Sequence, residues 1–368
     1  MSDPIRVGVI GTGAISGAYL GMARSFPIIQ IAALADIDMD KARARGAEFG
    51  IARVCSVEEL LKDESIDIVL NLTVPKAHVP VALAAIEAGK HTYAEKPLGI
   101  SVSEGRKVLE AAGARGLRVG CAPDTFMGAG IQTARKLIDD GAIGRPVAFT
   151  AFMMIRGHES WHPSPEFYYQ AGGGPMFDMG PYYLTALLNI LGPIRRIMGA
   201  ASIAIPERTI TSKPKFGQKI KVETPDHICG TIEFENGVVG SIITTFATRF
   251  AQYDGKQPIT IYGEEGTLKV PDPNAFDGPV HIRKTGEDEF KEVPHMFPRG
   301  FGRAVGLADM AHGIRAGRPH RASGEQAFAV LEAMQAFLDS SAQGKAIAPT
   351  VKYQRPAPMP QRVGLVLD

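Results

Sequence analysis

Cysteine is scarce in this chain of 368 residues. Cys55, Cys121 and Cys229 are the only three, an odd number without paired spacing. That excludes a disulfide framework and a cysteine-based zinc site, and it fits a reducing compartment. Net charge is nearly absent. Lys and Arg total 40 against 39 Asp and Glu, leaving +1, so no overall field recruits nucleic acid or an anionic membrane. No apolar run reaches the length of a membrane span. Strand-like sequence starts by Ile5, which leaves no room for a signal peptide. The expected location is cytoplasmic. Internal repeats and low-complexity tracts are missing too. What remains is ordinary globular composition, 45% hydrophobic and 21% charged, with enough chain for two domains.

The most informative stretch lies at the start. An apolar run from Ile5 to Ile10 goes straight into Gly11-Thr12-Gly13-Ala14-Ile15-Ser16. This reads as the glycine-rich turn of a dinucleotide-binding βαβ unit, with Ser in place of the third glycine. Gly11 allows a sharp turn off the strand. Gly13 lets a pyrophosphate approach the backbone, and position 16 must be small for helix and strand to pack. The helix that follows turns its free N–H groups and positive dipole end toward the phosphates. A second apolar run, Ile28 to Ala35, ends in Asp36, which follows Ser16 by 20 residues. A carboxylate there accepts hydrogen bonds from ribose hydroxyls and repels a 2′-phosphate. No Arg follows at once to compensate, so the expected cofactor is NAD rather than NADP. The competing role for Asp36 is a helix N-cap.

From residue 1 to 123, apolar strand runs alternate with amphipathic helices, which predicts a parallel sheet covered on both faces. From 124 to 368 the pattern changes to strand-like segments over 147–155, 194–204, 227–234, 237–248, 258–263 and 267–270. Asn236-Gly237 supplies a hairpin turn. Helices are expected over 132–140, 182–191, 302–314 and 324–341, with Ser323 as a cap for the last. Segments 213–221 and 272–279 read as loops. The tail from Pro349 reads as extended chain that wraps another part of the molecule. The expected fold class is therefore α/β: an N-terminal Rossmann dinucleotide-binding domain (1–123), then an α+β domain (124–368) with an open, mostly antiparallel sheet for substrate binding and oligomerisation.

A strand leaves the first sheet at Thr92-Tyr93-Ala94 and ends in Glu95-Lys96-Pro97. Ligands of such sheets sit beyond the carboxyl ends of the strands, so Lys96 points at the cofactor crevice. A lysine there stabilises a developing alkoxide. Its competing role is a solvated surface lysine, although Pro97 restricts its backbone.

With these residues in view, the sequence resembles the Gfo/Idh/MocA oxidoreductases. The matching pieces are IGTGAIS (10–16), ALAD (33–36), LNLTVPKAH (70–78), EAGKHTYAEKPL (87–98), DDGAIGRP (139–146) and GGGPMFDMGPYYLTALLNILG (172–192). The resemblance implies hydride transfer between a nicotinamide cofactor and a carbohydrate or cyclitol, and oligomers formed through the open sheet, here a homodimer or homotetramer. Carried over by position, Gly11, Thr12, Gly13, Ile15 and Asp36 hold pyrophosphate and ribose. Thr73, Pro75 and His78 line the cofactor groove. Glu95 and Lys96 lie near the nicotinamide ribose, and Lys96 also reaches substrate. Asp124 stands where many members carry Asn and is a candidate substrate residue.

Asp178-Met179-Gly180-Pro181-Tyr182 stands where many members carry Asp-x-Gly-x-His. Tyr182 replaces the acid/base histidine. A phenol titrates near 10, but a neighbouring Lys96 cation favours its phenolate. The competing roles are an N-cap for Asp178 and a packed core aromatic for Tyr182. The intervening Arg156-Gly157-His158-Glu159-Ser160-Trp161-His162-Pro163 holds the only Trp and two of nine His. Aromatic faces with a few polar groups suit a sugar, so His158, Trp161 and His162 are candidate substrate residues, and either His could take over from Tyr182. The His-x-x-x-His spacing does not make a metal site, since Gly157 and Pro163 argue against the helix it would need. An aromatic plug or subunit contact is the competing reading. The expected activity is NAD-dependent oxidation of a secondary hydroxyl, with Lys96, Asp178 and Tyr182 as catalytic groups. Two alternatives stay open: a glycosidase that oxidises its substrate transiently, and a non-catalytic NAD-binding sensor.

Overall fold

The computed structural model describes residues 3–361 and 367. Strands β1 (Ile5–Ile10), β2 (Ile29–Ala35), β3 (Ile68–Asn71), β4 (His91–Ala94) and β5 (Val119–Cys121) form a parallel sheet in the order β2-β1-β3-β4-β5. Helices α1 (Ser16–Ala23), α2 (Met39–Phe49), α3 (Val57–Lys62), α4 (Pro75–Glu87) and α5 (Val102–Gly113) connect them. The strands are buried because helices cover the sheet, and their apolar runs supply the core, including Val7, Val9, Leu34 and Val69. The strand order reverses between β1 and β3. Ligands of doubly wound sheets bind at that switch point, outside the carboxyl ends of the strands.

Helix α6 (Ala129–Asp139) leads into β6 (Pro146–Met154), then α7 (Gly174–Asp178) and α8 (Gly180–Leu191). The strands that follow are β7 (Ile194–Ser202), β8 (Glu207–Thr209), β9 (Lys219–Lys221), β10 (His227–Phe234), β11 (Val239–Thr245), β12 (Ile259–Gly263), β13 (Gly266–Val270), β14 (Val280–Lys284) and β15 (Lys291–Val293). Seven of them join β6 in one eight-stranded sheet, β15-β14-β13-β12-β6-β11-β10-β7, and β8 pairs with β9 alone. Only β6 and β11 run parallel in the large sheet. Helices α9 (Val305–Ala316) and α10 (Gly324–Gln343) close the chain. Ser323 accepts from Gln326 N at 3.2 Å, as its capping role requires. Among the described residues no helix is long and apolar enough to cross a membrane.

The chain forms two compact units. The first comprises Met1–Ala129, Phe297–Phe328 and Pro356–Asp368, and the second Gly130–Met296 and Ala329–Arg355. A single cut after 123 therefore does not describe the molecule. Cys121 N donates to Ala322 O, and Gly120 pairs with Ser323, so the segment around α9 extends the first unit. Chain from 356 joins it too, because the Arg321 guanidinium donates to Ala357 O and Pro358 O. That matches the wrapping expected of the tail, of which 362–366 and 368 lie outside the described residues. Segment 213–221 is corrected as well: its end is β9. Strands β8, β14 and β15 escaped sequence reading because three to five residues with charged neighbours carry little period-two signal.

Candidate active site

Each unit carries part of the constellation and is described by itself. In the first, Gly11 adopts φ +99°, and a Cβ there would lie 2.6 Å from the Leu72 carbonyl carbon. Only glycine fits. A Cβ at Gly13 would meet nothing within 4 Å, so the backbone faces open space. Ser16 replaces the third glycine without penalty, since it is buried and its hydroxyl donates to Gly13 O at 2.7 Å. No side chain caps the first turn of α1, which leaves its N–H groups available. Ile15, just before it, is partly exposed.

Asp36 lies across this turn. Its Oδ2 accepts from Thr12 N at 2.7 Å and from the Thr12 hydroxyl at 2.8 Å, and its Oδ1 accepts from Asp38 N at 2.9 Å. Burial pushes this carboxyl up, but the bonds from Asp38 and Thr12 outweigh it and hold it below its ordinary value. It stays ionised. The N-cap alternative falls, because Asp38 caps α2 by accepting from Lys41 N. An uncapped helix start, an open Gly13 and an ionised Asp36 fit a dinucleotide's pyrophosphate and ribose. Ile37 and Val74, fully and largely exposed, add apolar surface beside Asp36 and Thr73.

Thr73 donates N–H and O–H to Asn71 Oδ1, and Pro75 opens α4 at its first turn. His78 is corrected. It is buried, with Nδ1 2.7 Å from Pro97 O and Nε2 3.1 Å from Thr73 O. Burial lowers its pKa, the two carbonyl contacts opposing. A neutral ring donates to one of these two carbonyls and lies buried between them, so it braces the turn after β4 against α4 instead of lining a groove. Glu95 is buried too. Its Oε1 accepts from the Tyr19 hydroxyl at 2.7 Å and its Oε2 from Lys96 N at 3.1 Å. Lys96 is half-buried, and its bond to Pro97 is cis.

Asp124 is a second correction. It is 0% exposed, and its Oδ2 accepts from Ala304 N and Gly306 N at 3.1 Å each. It holds the start of α9, where Ala304 adopts φ +90°, and has no face left for substrate. Burial pushes its pKa up to about 6, against the pull of Arg303 at 3.7 Å and the Gly306 N–H.

In the second unit, Asp178 ends α7 and Tyr182 lies in the first turn of α8. Met179, not Asp178, occupies the N-cap position of α8, which removes the capping alternative. All of α8 is buried, Tyr182 included. Asp178 meets another candidate read from the sequence, His158, whose Nε2 lies 3.2 Å from Asp178 Oδ2. The His158 ring packs on Tyr168, Phe246 and Trp161, with centroids 3.9, 4.6 and 5.2 Å away. Trp161 is exposed. His162 packs on Trp161, Phe167 and Tyr168, and its Nδ1 accepts from Ser164 N at 3.0 Å. Burial lowers its pKa.

The sequence did not reveal what anchors this loop. Buried Arg208 donates to Arg156 O at 2.8 Å, Glu159 Oε1 at 3.1 Å, Asp226 Oδ2 at 2.7 Å and Phe246 O at 2.8 Å. The Tyr169 hydroxyl donates to Glu159 and accepts from His158 N. Gly157 at φ +104° leaves room, since a Cβ would lie 2.3 Å from that hydroxyl. The only sequence signal was Gly157 followed by charged and aromatic residues, and Arg208 lies 50 residues away.

A glycine turn at the switch point of a parallel sheet, facing an ionised acid on the next strand, defines a dinucleotide-binding oxidoreductase fold. Residues 5–122 match the family model described as "Oxidoreductase family, NAD-binding Rossmann fold", and residues 131–269 match the GFO/IDH/MocA C-terminal domain. The chain belongs to the Gfo/Idh/MocA family of NAD-binding oxidoreductases. The 1,5-anhydro-D-fructose reductase of Ensifer adhaerens is 28% identical over 268 residues, 72% of this chain and 74% of that protein. The levoglucosan dehydrogenase of Pseudarthrobacter phenanthrenivorans is 28% identical over 293 residues, 72% of this chain and 73% of its own. Among solved structures, an NAD binding oxidoreductase from Klebsiella pneumoniae has a TM-score of 0.81 at 23% identity, covering 96% of this chain and 100% of that one. A levoglucosan dehydrogenase complex with NADH and levoglucosan has a TM-score of 0.80 at 22% identity, covering 94% and 99%.

Proposed function

We propose that this protein is an NAD-dependent dehydrogenase acting on a secondary hydroxyl of a sugar, a sugar derivative or a cyclitol. The observation that carries the reading is the pairing of the Thr12–Asp36 clasp beside an open Gly13 with Lys96 at the carboxyl end of β4. Relatives named as sugar reductases and dehydrogenases support the substrate class. NAD, when bound, takes or gives the hydride. Gly11, Thr12, Gly13 and Ile15 cradle its pyrophosphate, Asp36 takes the adenine ribose, and Thr73 and Pro75 flank it. Lys96, held by the Glu95 turn, polarises the reacting oxygen and stabilises alkoxide character. Asp178 orients the hydroxyl and Tyr182 exchanges its proton. Trp161 offers an aromatic face to the sugar ring, with His158 and His162 around it.

The test is a panel of aldoses, anhydrosugars, glycosides and inositols with NAD, read by NADH absorbance. Net NADH formed with at least one of them is the expected result. Cleavage of a glycoside without net NADH, or NAD binding with no turnover on any of them, refutes the reading. We also propose a homodimer or homotetramer assembled through the large sheet. Its uncovered face presents Met198 on β7, Val239 on β11 and Tyr262 on β12, all exposed. Light scattering giving the mass of one chain would refute that. The scarcity of cysteine supports a cytoplasmic location.

A further inference from the structure

We infer that His158 is a positioning residue: its Nε2–H holds the Asp178 carboxylate in the orientation in which it meets the substrate hydroxyl. The inference rests on the role proposed for Asp178.

The geometry leaves His158 one polar task. Its ring is buried, and Nε2 reaches Asp178 Oδ2 at 3.2 Å. Nδ1 is buried and has no hydrogen-bond partner. Aromatic rings of Tyr168, Phe246 and Trp161 enclose the imidazole. This fixes the tautomer. A proton on Nδ1 would be an orphan donor among aromatic rings and would turn the Nε2 lone pair against a carboxylate. The Nε2–H form satisfies Asp178 and leaves only an acceptor unmatched, which is the milder cost.

The same geometry argues against a purely structural role. A phenylalanine would fill the aromatic box without the unmatched nitrogen, and its cost would be the donor that Asp178 loses, not packing. Asp178 is less buried than His158, so water can solvate its oxygen once the imidazole is gone. Stability therefore does not call for histidine here; a fixed Asp178 does. Asp178 sits where α7 meets α8, so its backbone is set by the two helices, and the His158 contact acts on the orientation of its carboxylate. His162 does not share the task, because its Nδ1 is engaged by Ser164 N. The loop that presents His158 is itself pinned, through Tyr169 to His158 N and through Arg208 to Arg156 O and Glu159.

The experiment uses the full chain, His158→Phe and His158→Gln. Gln carries an N–H at the reach of Nε2 but cannot take up a proton. For His158→Phe we expect a folded protein with a melting temperature lower by no more than a few degrees, NAD affinity within twofold by calorimetry, and kcat lower by about fiftyfold, the scale of a misplaced reacting group. His158→Gln should recover kcat to within about fivefold of wild type. Combining either substitution with Asp178→Ala should cost nothing beyond Asp178→Ala alone, since His158 acts only through Asp178. Undiminished kcat in His158→Phe overturns the inference. So does a Gln variant as slow as the Phe variant, which would make the imidazole itself the base, and so does a multiplicative loss in the double variant. If the Phe variant does not fold, the Gln variant and its double with Asp178→Ala decide alone. Imidazole nitrogen NMR reads the tautomer without turnover. A neutral Nε2–H form for His158, perturbed in Asp178→Ala, is expected, and an Nδ1–H form refutes the contact. That readout stands even if the panel finds no sugar substrate, so failure of the dehydrogenase reading remains distinguishable.

Discussion

Replacing Asp124 with Asn should stabilise the protein at alkaline pH and progressively less toward acid pH. Asp124 is fully buried, and its carboxylate holds two backbone N–H groups at the start of α9. Burial, opposed by Arg303 and the Gly306 N–H, raises its pKa from the ordinary 3.8 to about 6. The folded state therefore binds a proton more tightly than the unfolded state. Stability conferred by that proton is fully present below about pH 4 and is lost as pH rises through about 6. The gap corresponds to about 3 kcal/mol of destabilisation at pH 8. Asn keeps an oxygen for Ala304 N and Gly306 N and carries no charge. The pull of Arg303, 3.7 Å from the anion, is already contained in that figure, because it is one of the opposing contributions to the pKa. Thermal unfolding of both proteins at pH 5 and pH 8 tests this. The variant should melt higher at pH 8, by up to about 5–10 °C for a unit of this size, with the difference falling to about half at pH 5, where the unfolded carboxyl is already ionised. An equal difference at both pH values, or a variant less stable at pH 8, would show that the Arg303 pair outweighs burial.

Lys96→Ala should lower kcat by about a hundredfold or more while NAD affinity, followed by calorimetry, changes little; full activity would remove Lys96 from the reaction. Asp36→Ala should weaken NAD and relax discrimination against NADP, so an unchanged ratio of kcat/KM for the two cofactors would refute its role. Gly11→Ala places a methyl group 2.6 Å from backbone at φ +99°; we expect loss of NAD binding and a Tm several degrees lower, and a variant that binds NAD normally would contradict the packing.

Local chemistry made the first unit readable. Gly11, Asp36 and Lys96 announce themselves because strand, turn and following acid are contiguous or separated by one helix. Residues 227–234 were legible as a strand for the same reason, since alternation and the Asn236-Gly237 turn are local. His78 and Asp124 misled because position in a motif does not disclose burial. Each is an acceptable ligand by chemistry, and each is buried against backbone that the motif does not disclose, Pro97 O and Thr73 O for one, the start of α9 for the other. The 124–368 boundary failed similarly. Nothing within 297–328 says that it packs beside β5.

The sequence by itself determined the cofactor class and the strand that carries Lys96, because a glycine turn, a spacing and a strand end are short-range features with few physical alternatives. Only the tertiary structure decided which polar residues are free to act. It pairs His158 with Asp178 across 20 residues, buries Asp124 under α9 and locks the aromatic loop with Arg208. Those are long-range contacts, set by how the helices and sheets pack, and no local pattern encodes them.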